Sequence, residues 1–569
     1  MTATYALERR FIIRGKLRAE TPIHPGSGEP GMVSDLTIER DGRNRPVVRG
    51  TQLAGVLTDA LRRECMGSAW EPALKKAWGT QDSASRVIVD DAPLLVDASI
   101  GSVHPERLDG IAMDRRQGTV APGALYSREV LPEGSEFDFS LEVEDDGVAP
   151  PGVDWAARGW TESEPESWGH ALIGELYRLL ARGIRVGAAT NRGLGQLKLT
   201  ESSTVTVLDY TDQAAVLESL RTRDEDARKA LVPEIGSGVP GGTIRFTVHW
   251  RPLGTILSGI ETDGAVSLMP RTATSRRRRD GLPDLTEVRL QIPGSGIKGA
   301  LRSRGEYIVR TVLDAESRGS PLEDCADDRL HEVAALFGSP GREVRGERGG
   351  DGKRVSTQTG RRGAVSFSDA RSALAIPSAQ WNPVLTALTA LTDAPEPARE
   401  REKPEEKAAR RKRNQKRNFR RAVEELNTAA GALGFEVVDR VAIDRWTGGA
   451  AESRLYAALE PTVSVWEPLI FDLDSHQLPE EGREDAVAVF MLVLRDLAEG
   501  WIPLGRGTRR GWGTIEVTAV EVENNSGFLG DALPGGNLLA PKLDQQEALD
   551  ELIGEWFARR ATVGAEGES

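Results

Sequence analysis

Cysteine is nearly absent. The 569 residues hold two, Cys65 and Cys325, far apart in the chain, which excludes a disulfide framework and a four-ligand zinc module. The six histidines are scattered with no metal-ligand spacing, and aromatic residues make up only 5%. No run approaches the roughly 18 consecutive apolar residues of a membrane span. The opening MTATYALERRFIIRGKL has no apolar signal core, so the expectation is a cytoplasmic protein with no membrane partner. What the chain has in quantity is glycine, 61 residues, and charge, 28%. The formal net charge of −14 argues against nucleic acid only if the charges are evenly spread, and they are not. Carboxylates gather in 141–166 and 473–486, arginines in 276–279, 341–362 and 410–421. That segregation fits one basic working face and fits solvated loops equally well.

The length suggests two to four domains, and an internal duplication narrows this to two. LARGIRVGAATNRGLGQLKL (180–199) is matched by LAEGWIPLGRGTRRGWGTIEV (497–517), with Gly193 opposite Gly511. IAMDRRQGTVAPGALY (111–126) is matched by VAIDRWTGGAAESRLY (441–456), pairing Asp114 with Asp444 and Tyr126 with Tyr456. RGTQLAG (49–55) and PGSGIKG (293–299) each open a helix, and VIVDDA (87–92) corresponds to VSFSDA (365–370). The expected domains are 1–230 and 240–525, followed by a loosely organised tail at 526–569. The second copy is longer, chiefly through 339–362 and a charged insertion at about 378–430. That insertion is either a solvated excursion or an arm that contacts RNA.

Each copy runs from an alternating strand through a glycine-led helix, further strands and a second helix to a Gly/Arg loop and a last strand. The order predicts an α+β fold of ferredoxin-like type, βαββαβ, with helices on one sheet face. A dinucleotide fingerprint is rejected, because RGLG and RGWG follow a helix and precede a strand, the reverse of a phosphate-binding turn. Their glycines either serve close backbone approach or make a tight turn that needs positive φ, and Arg192, Arg506, Arg509 and Arg510 are candidates for phosphate contact.

Taken jointly, these blocks resemble the RAMP superfamily, the RNA-binding proteins of CRISPR systems, and specifically the backbone subunits of type III effector complexes. The residues that carry the resemblance are 24–63, 111–137 and TNRGLG (190–195), with 292–303, 337–370, 442–461 and GTRRGWG (507–513) in the second half. The resemblance implies two tandem RAMP domains, each ferredoxin-like or RRM-like. They would bind a CRISPR guide RNA and a complementary target RNA alongside other CRISPR effector subunits. It implies that Lys298, in the turn PGSGIKG, contacts RNA phosphate; the first half carries Ala54 there. It also implies a cleavage carboxylate ahead of that turn, matched by Asp35 and, through a longer insertion, by Asp263. His24 matches a strand-end histidine that contacts RNA.

Cutting RNA needs an in-line attack by the 2′-OH or by an activated water, and an exposed carboxylate can orient either or hold a divalent metal such as Mg2+. Asp35 and Asp263 are the candidates for both roles. Trp446 and Trp512 either stack on bases or pack in the core. Three functions follow: a target-cleaving double backbone subunit, the same scaffold without catalysis, or an endoribonuclease that processes precursor guide RNA. No GGDD run is present, which argues against a signalling large subunit.

Overall fold

The computed structural model describes residues 7–566 apart from 33, 66–69, 72–73, 75–76, 82, 96–104, 115–118, 151, 222–227, 236–240, 263–264, 280–281, 317–326, 341–342, 346–355, 359, 390–419, 531 and 541. Asp263 and most of the charged insertion therefore lie outside the described residues.

In the first half, β1 (Arg9–Ala19) turns Phe11, Ile13 and Leu17 inward at strand spacing. Helix α1 (Gly50–Glu64) buries Leu53, Leu57 and Leu61, four residues apart and so on one face. β2 (Val87–Val89), β3 (Glu136–Asp145), α2 (Trp168–Arg182), β4 (Gln196–Leu199) and β5 (Thr204–Asp209) complete the unit. β1 is central, paired antiparallel with β3 on one edge and with β4 and then β5 on the other, and β2 lies outside β3. Both helices pack into one apolar core with the inward residues of β1 and β3.

The second half repeats the plan. β6 (Thr243–Pro252) lies between β8 (Leu469–Asp474) and β9 (Ile515–Asn524), and β7 (Val365–Phe367) lies outside β8, all antiparallel. Helices α3 (Gly294–Val312) and α4 (Arg483–Ala498) share its core. The fold is α+β with antiparallel sheets in both halves. The duplication reaches individual hydrogen bonds at the two helix starts. The Gly50 N–H donates to Asp91 Oδ1 at 2.8 Å, and the Gly294 N–H donates to Asp369 Oδ1 at 2.6 Å. Each aspartate satisfies a helix N-terminal N–H that has no partner within its own helix.

The C-terminal stretch differs from the loose tail expected. Leu543–Glu566 is a helix, α5, lying on α3 and α4 with Leu549, Leu552 and Trp556 buried. It is fastened by Glu332, fully buried, which accepts from Trp556 Nε1 at 3.0 Å and from the Arg560 guanidinium. Burial alone would raise the Glu332 pKa, but the hydrogen bonds from Arg560 and Trp556 outweigh it and hold the group below the ordinary range. The stabilisation is therefore present above the ordinary glutamate pKa and is lost as pH falls through the depressed value. Arg560→Ala strands a buried carboxylate, at a cost of about 3–5 kcal/mol. Hydrogen exchange in 543–562 should speed up in this variant at pH 7, and unchanged protection would refute the fastening role.

Candidate nucleic-acid interface

The Gly/Arg loops adopt the same conformation twice. Gly187, Gly193 and Gly195 have φ of 87°, 92° and 84°, and Gly505, Gly511 and Gly513 have 90°, 86° and 81°. The last glycine of each set is forced by space as well. A Cβ would lie 2.1 Å from Val186 O at Gly195 and 2.2 Å from Leu504 O at Gly513. The loop so shaped sends Arg192 Nη1 to the Tyr126 hydroxyl at 3.1 Å and Arg510 Nη1 to the Tyr456 hydroxyl at 2.6 Å. Both tyrosines lie on hairpins of the same register, Gly110 facing Tyr126 and Arg440 facing Tyr456. Arg506 pairs with Glu261 at 2.7 Å, both exposed, and Arg509 of the same loop is exposed.

The first loop closes onto the second half. Gly193 sits against Asp369, the residue that holds the start of α3, and Gly294 lies against the Arg192 carbonyl. Asp369 also accepts from Gln291 Nε2. This junction places Arg192 of the first half and Lys298 of the second in the wall of one groove of about 650 Å³, with Arg302 and Arg361. Phe337 and the Ala121–Ala124 turn complete it, and among the described residues no carboxylate lines it. Arg302 is anchored by Glu306 Oε1 at 2.7 Å and by Gly338 O at 2.8 Å. Arg302 follows Lys298 by one helical turn, a spacing legible in the sequence. Arg361 reaches the groove only through tertiary structure. Arg506, Arg509 and Arg510 belong to the second loop and do not line this groove.

Asp35 is exposed, and its Oδ2 accepts from Ser127 N at 2.7 Å and from Ser127 Oγ at 2.9 Å. Those bonds hold its carboxyl below the usual range. They also tie Asp35 to the residue following Tyr126, on the strand that receives Arg192. In the second half the corresponding bridge belongs to Leu268, which meets Ala458 as Leu36 meets Arg128. Asp263 lies five residues before Leu268, whereas Asp35 immediately precedes Leu36. Among the described residues no three His, Cys, Asp or Glu side chains gather as a metal site. The donor set at Asp35 is one solvent-facing carboxylate, which suits Mg2+, an ion that keeps several waters and takes one or two carboxylates besides phosphate.

His24 is placed inside the protein. It is 3% exposed, its Nδ1 lies 2.6 Å from Glu129 O, and its carbonyl accepts from the Ala188 N–H at 3.1 Å. Burial lowers its pKa and favours the neutral ring. It joins the hairpin to the Gly/Arg loop, and Leu257 takes its place in the second half, accepting from Arg506 N at 2.7 Å. The two tryptophans divide. Trp512 is 7% exposed under the Arg440 guanidinium, 4.4 Å from its ring, while Trp446 is 96% exposed at a hairpin tip.

The sequence model of the RAMP superfamily matches residues 16–198 and 284–516, most of the chain and both halves. The chain belongs to the RAMP superfamily. Each RAMP region holds one Gly/Arg loop and both main helices of its half, while the central strand β6 (Thr243–Pro252) precedes the second region. Solved structures similar to it include a type III-B Cmr-beta complex in its apo state, at 16% identity and a TM-score of 0.25, covering 34% of this chain and 97% of that one. Another is type III-B Cmr-beta bound to cognate target RNA, at 16% identity and a TM-score of 0.24, with the same coverage. No curated protein matches the RAMP chain.

Proposed function

We propose that this RAMP protein is a guide-RNA-binding double backbone subunit of a type III-like CRISPR effector, acting in antiviral defence in the cytoplasm. Each half is read as a ferredoxin-like βαββαβ unit. The strand order fourth, first, third, second, found in both halves, supports that reading. The observation that carries the RNA reading is the groove at the junction. Among the described residues four cations, Arg192, Lys298, Arg302 and Arg361, line it from two domains and no carboxylate does, a composition suited to a phosphate backbone crossing from one domain to the next. Arg506, Arg509 and Arg510 would hold the same strand one domain further on, alongside other effector subunits.

The complementary target RNA would pair with the guide and be cut beside Asp35, and at a second place beside Asp263. Asp35 orients the attacking oxygen or holds the divalent cation, Mg2+ in this reading. When bound, the cation supplies charge stabilisation at the scissile phosphate. Ser127 fixes the carboxylate's direction and keeps it ionised. The non-catalytic scaffold is the second reading, and the two Ser127 hydrogen bonds favour it, since they give Asp35 a structural task.

The test is binding of repeat-derived RNA across a salt series. Replacing both Lys298 and Arg192 with alanine should weaken binding of all guides alike. It should also flatten the log–log salt dependence by about 0.7 per lost single-strand contact. An unchanged affinity and slope would sink the groove as the RNA site.

A further inference from the structure

The hairpin that bonds Asp35 carries a cation on the same face. Its strands, Glu106–Gly110 and Tyr126–Val130, pair antiparallel, with Asp109 opposite Ser127 and Arg107 opposite Glu129. Directly opposed residues share a face of a sheet, and successive residues alternate between faces. Arg107, Asp109, Ser127 and Glu129 therefore lie on one face, and Tyr126 and Arg128 on the other. The first of these faces receives the Asp35 segment. Ser127 Oγ bonds the Asp35 carboxylate, and Glu129 Oε2 accepts from the Ile38 N–H at 3.3 Å. The opposite face holds the Tyr126 bond to Arg192 and the Arg128 guanidinium, 6.0 Å from the Tyr126 ring.

The Asp35 face is rich in carboxylate. A phosphodiester brought against Asp35, Asp109 and Glu129 is repelled by each of them unless a cation accompanies it. Arg107 has the position for that task. Its Nε donates to Asp109 Oδ1 at 2.9 Å, and the two side chains are 51% and 55% exposed. A solvent-screened pair of this kind is weakly held and exchanges readily. The guanidinium is a planar fork of five N–H donors, so one bond through Nε leaves the rest of the fork for an oxyanion. Its charge already reaches Asp35, adding to the Ser127 bonds that hold that carboxyl low. The second half lacks the arrangement. By the register that matches Tyr126 with Tyr456, Val437 stands at the place of Arg107 and Ala457 at that of Ser127, while Asp439 keeps the place of Asp109.

We propose that Arg107 is a catalytic residue of the first half, bonding a non-bridging oxygen of the scissile phosphate beside Asp35, and that Asp109 holds it in aim until the phosphate arrives. In the cut, the attacking oxygen bonds to phosphorus as the bond to the leaving oxygen breaks. The attacking group's proton passes to solvent, and a proton from solvent reaches the leaving oxygen. The five-coordinate phosphorus between these states carries one more negative charge than the diester, and a guanidinium already in place stabilises it. The inference rests on the reading of Asp35 as a cutting residue.

Single-turnover cleavage of a complementary RNA by the full chain loaded with its guide tests it. Arg107→Ala should slow the cut beside Asp35 by about 10²–10³-fold and leave guide binding within twofold. The cut assigned to Asp263 should keep its rate, an internal control for folding. Arg107→Lys keeps the charge without the fork and should recover part of the rate. Millimolar guanidinium should restore the Arg107→Ala cut and do nothing for Asp35→Asn, a response that a merely structural arginine would not give. The inference is overturned if the cut beside Asp35 keeps its rate in Arg107→Ala, or if guanidinium leaves that variant slow. It is overturned as well if guide binding falls with the rate. A natural chain that cuts no RNA would remove the catalytic reading of Asp35 itself, and this inference with it.

Discussion

Asp35→Asn is expected to remove one cut from a bound complementary RNA, slowing it by about 10²–10⁴-fold, while guide binding stays within twofold. The substitution changes charge and little else. An asparagine oxygen can still accept from Ser127 N and Oγ, the two bonds that Asp35 Oδ2 makes now. The fold should therefore be indifferent, and the lost rate reports the missing negative charge. Asp263→Asn should remove a different cut, and the double variant should bind target without cutting it. Chelation should mimic the double variant, with recovery on adding Mg2+. Ser127→Ala separates the supporting role: Asp35 keeps the bond from the Ser127 N–H, the larger cause of its depressed pKa, and loses the one from the hydroxyl, so the acid limb of the pH–rate profile should move up by part of that shift. If every cut survives Asp35→Asn under saturating metal, the scaffold reading replaces the catalytic one. The same follows if guide binding falls together with cutting.

The duplication was legible because it is carried by short contiguous blocks whose geometry is local. The pairing of Tyr126 with Tyr456 in the sequence reappears as equal hairpin registers and as matching arginine bonds. The groove was not legible. Arg192 and Lys298 were each visible as cations in glycine-led turns, but their meeting depends on how one half closes on the other, which no block records. His24 shows the same limit, since nothing around TPIHPGSG tells a buried ring from one on RNA. For Asp263, block matching tolerated a shift that the Leu268–Ala458 bridge makes visible. The α5 helix does have a sequence signal: Leu549, Leu552 and Trp556 fall at helical spacing. The glycines of 526–536 draw attention away from it.

A paired substitution, Gly193→Ala against Gly511→Ala, measures how much the junction contributes. Both glycines have left-handed φ, 92° and 86°, so alanine carries the same backbone strain at either site, roughly 1–2 kcal/mol. Their surroundings differ. The Gly511 methyl would enter open space, while the Gly193 methyl would lie 2.5 Å from Asp369 Oδ1 and 3.2 Å from its backbone nitrogen. Asp369 cannot retreat freely, because Oδ1 accepts the Gly294 N–H that begins α3 and Oδ2 is held by Gln291. The clash must therefore open the junction or displace the helix start. Gly193→Ala should cost about 3 kcal/mol or more in chemical denaturation, against about 1–2 for Gly511→Ala. Because Lys298 stands one turn into α3, the same variant should weaken RNA binding, and Gly511→Ala should affect it less. Equal losses of stability at the two sites would mean that the halves do not press together at Asp369. The groove would then have to be sought within one domain and not between the two.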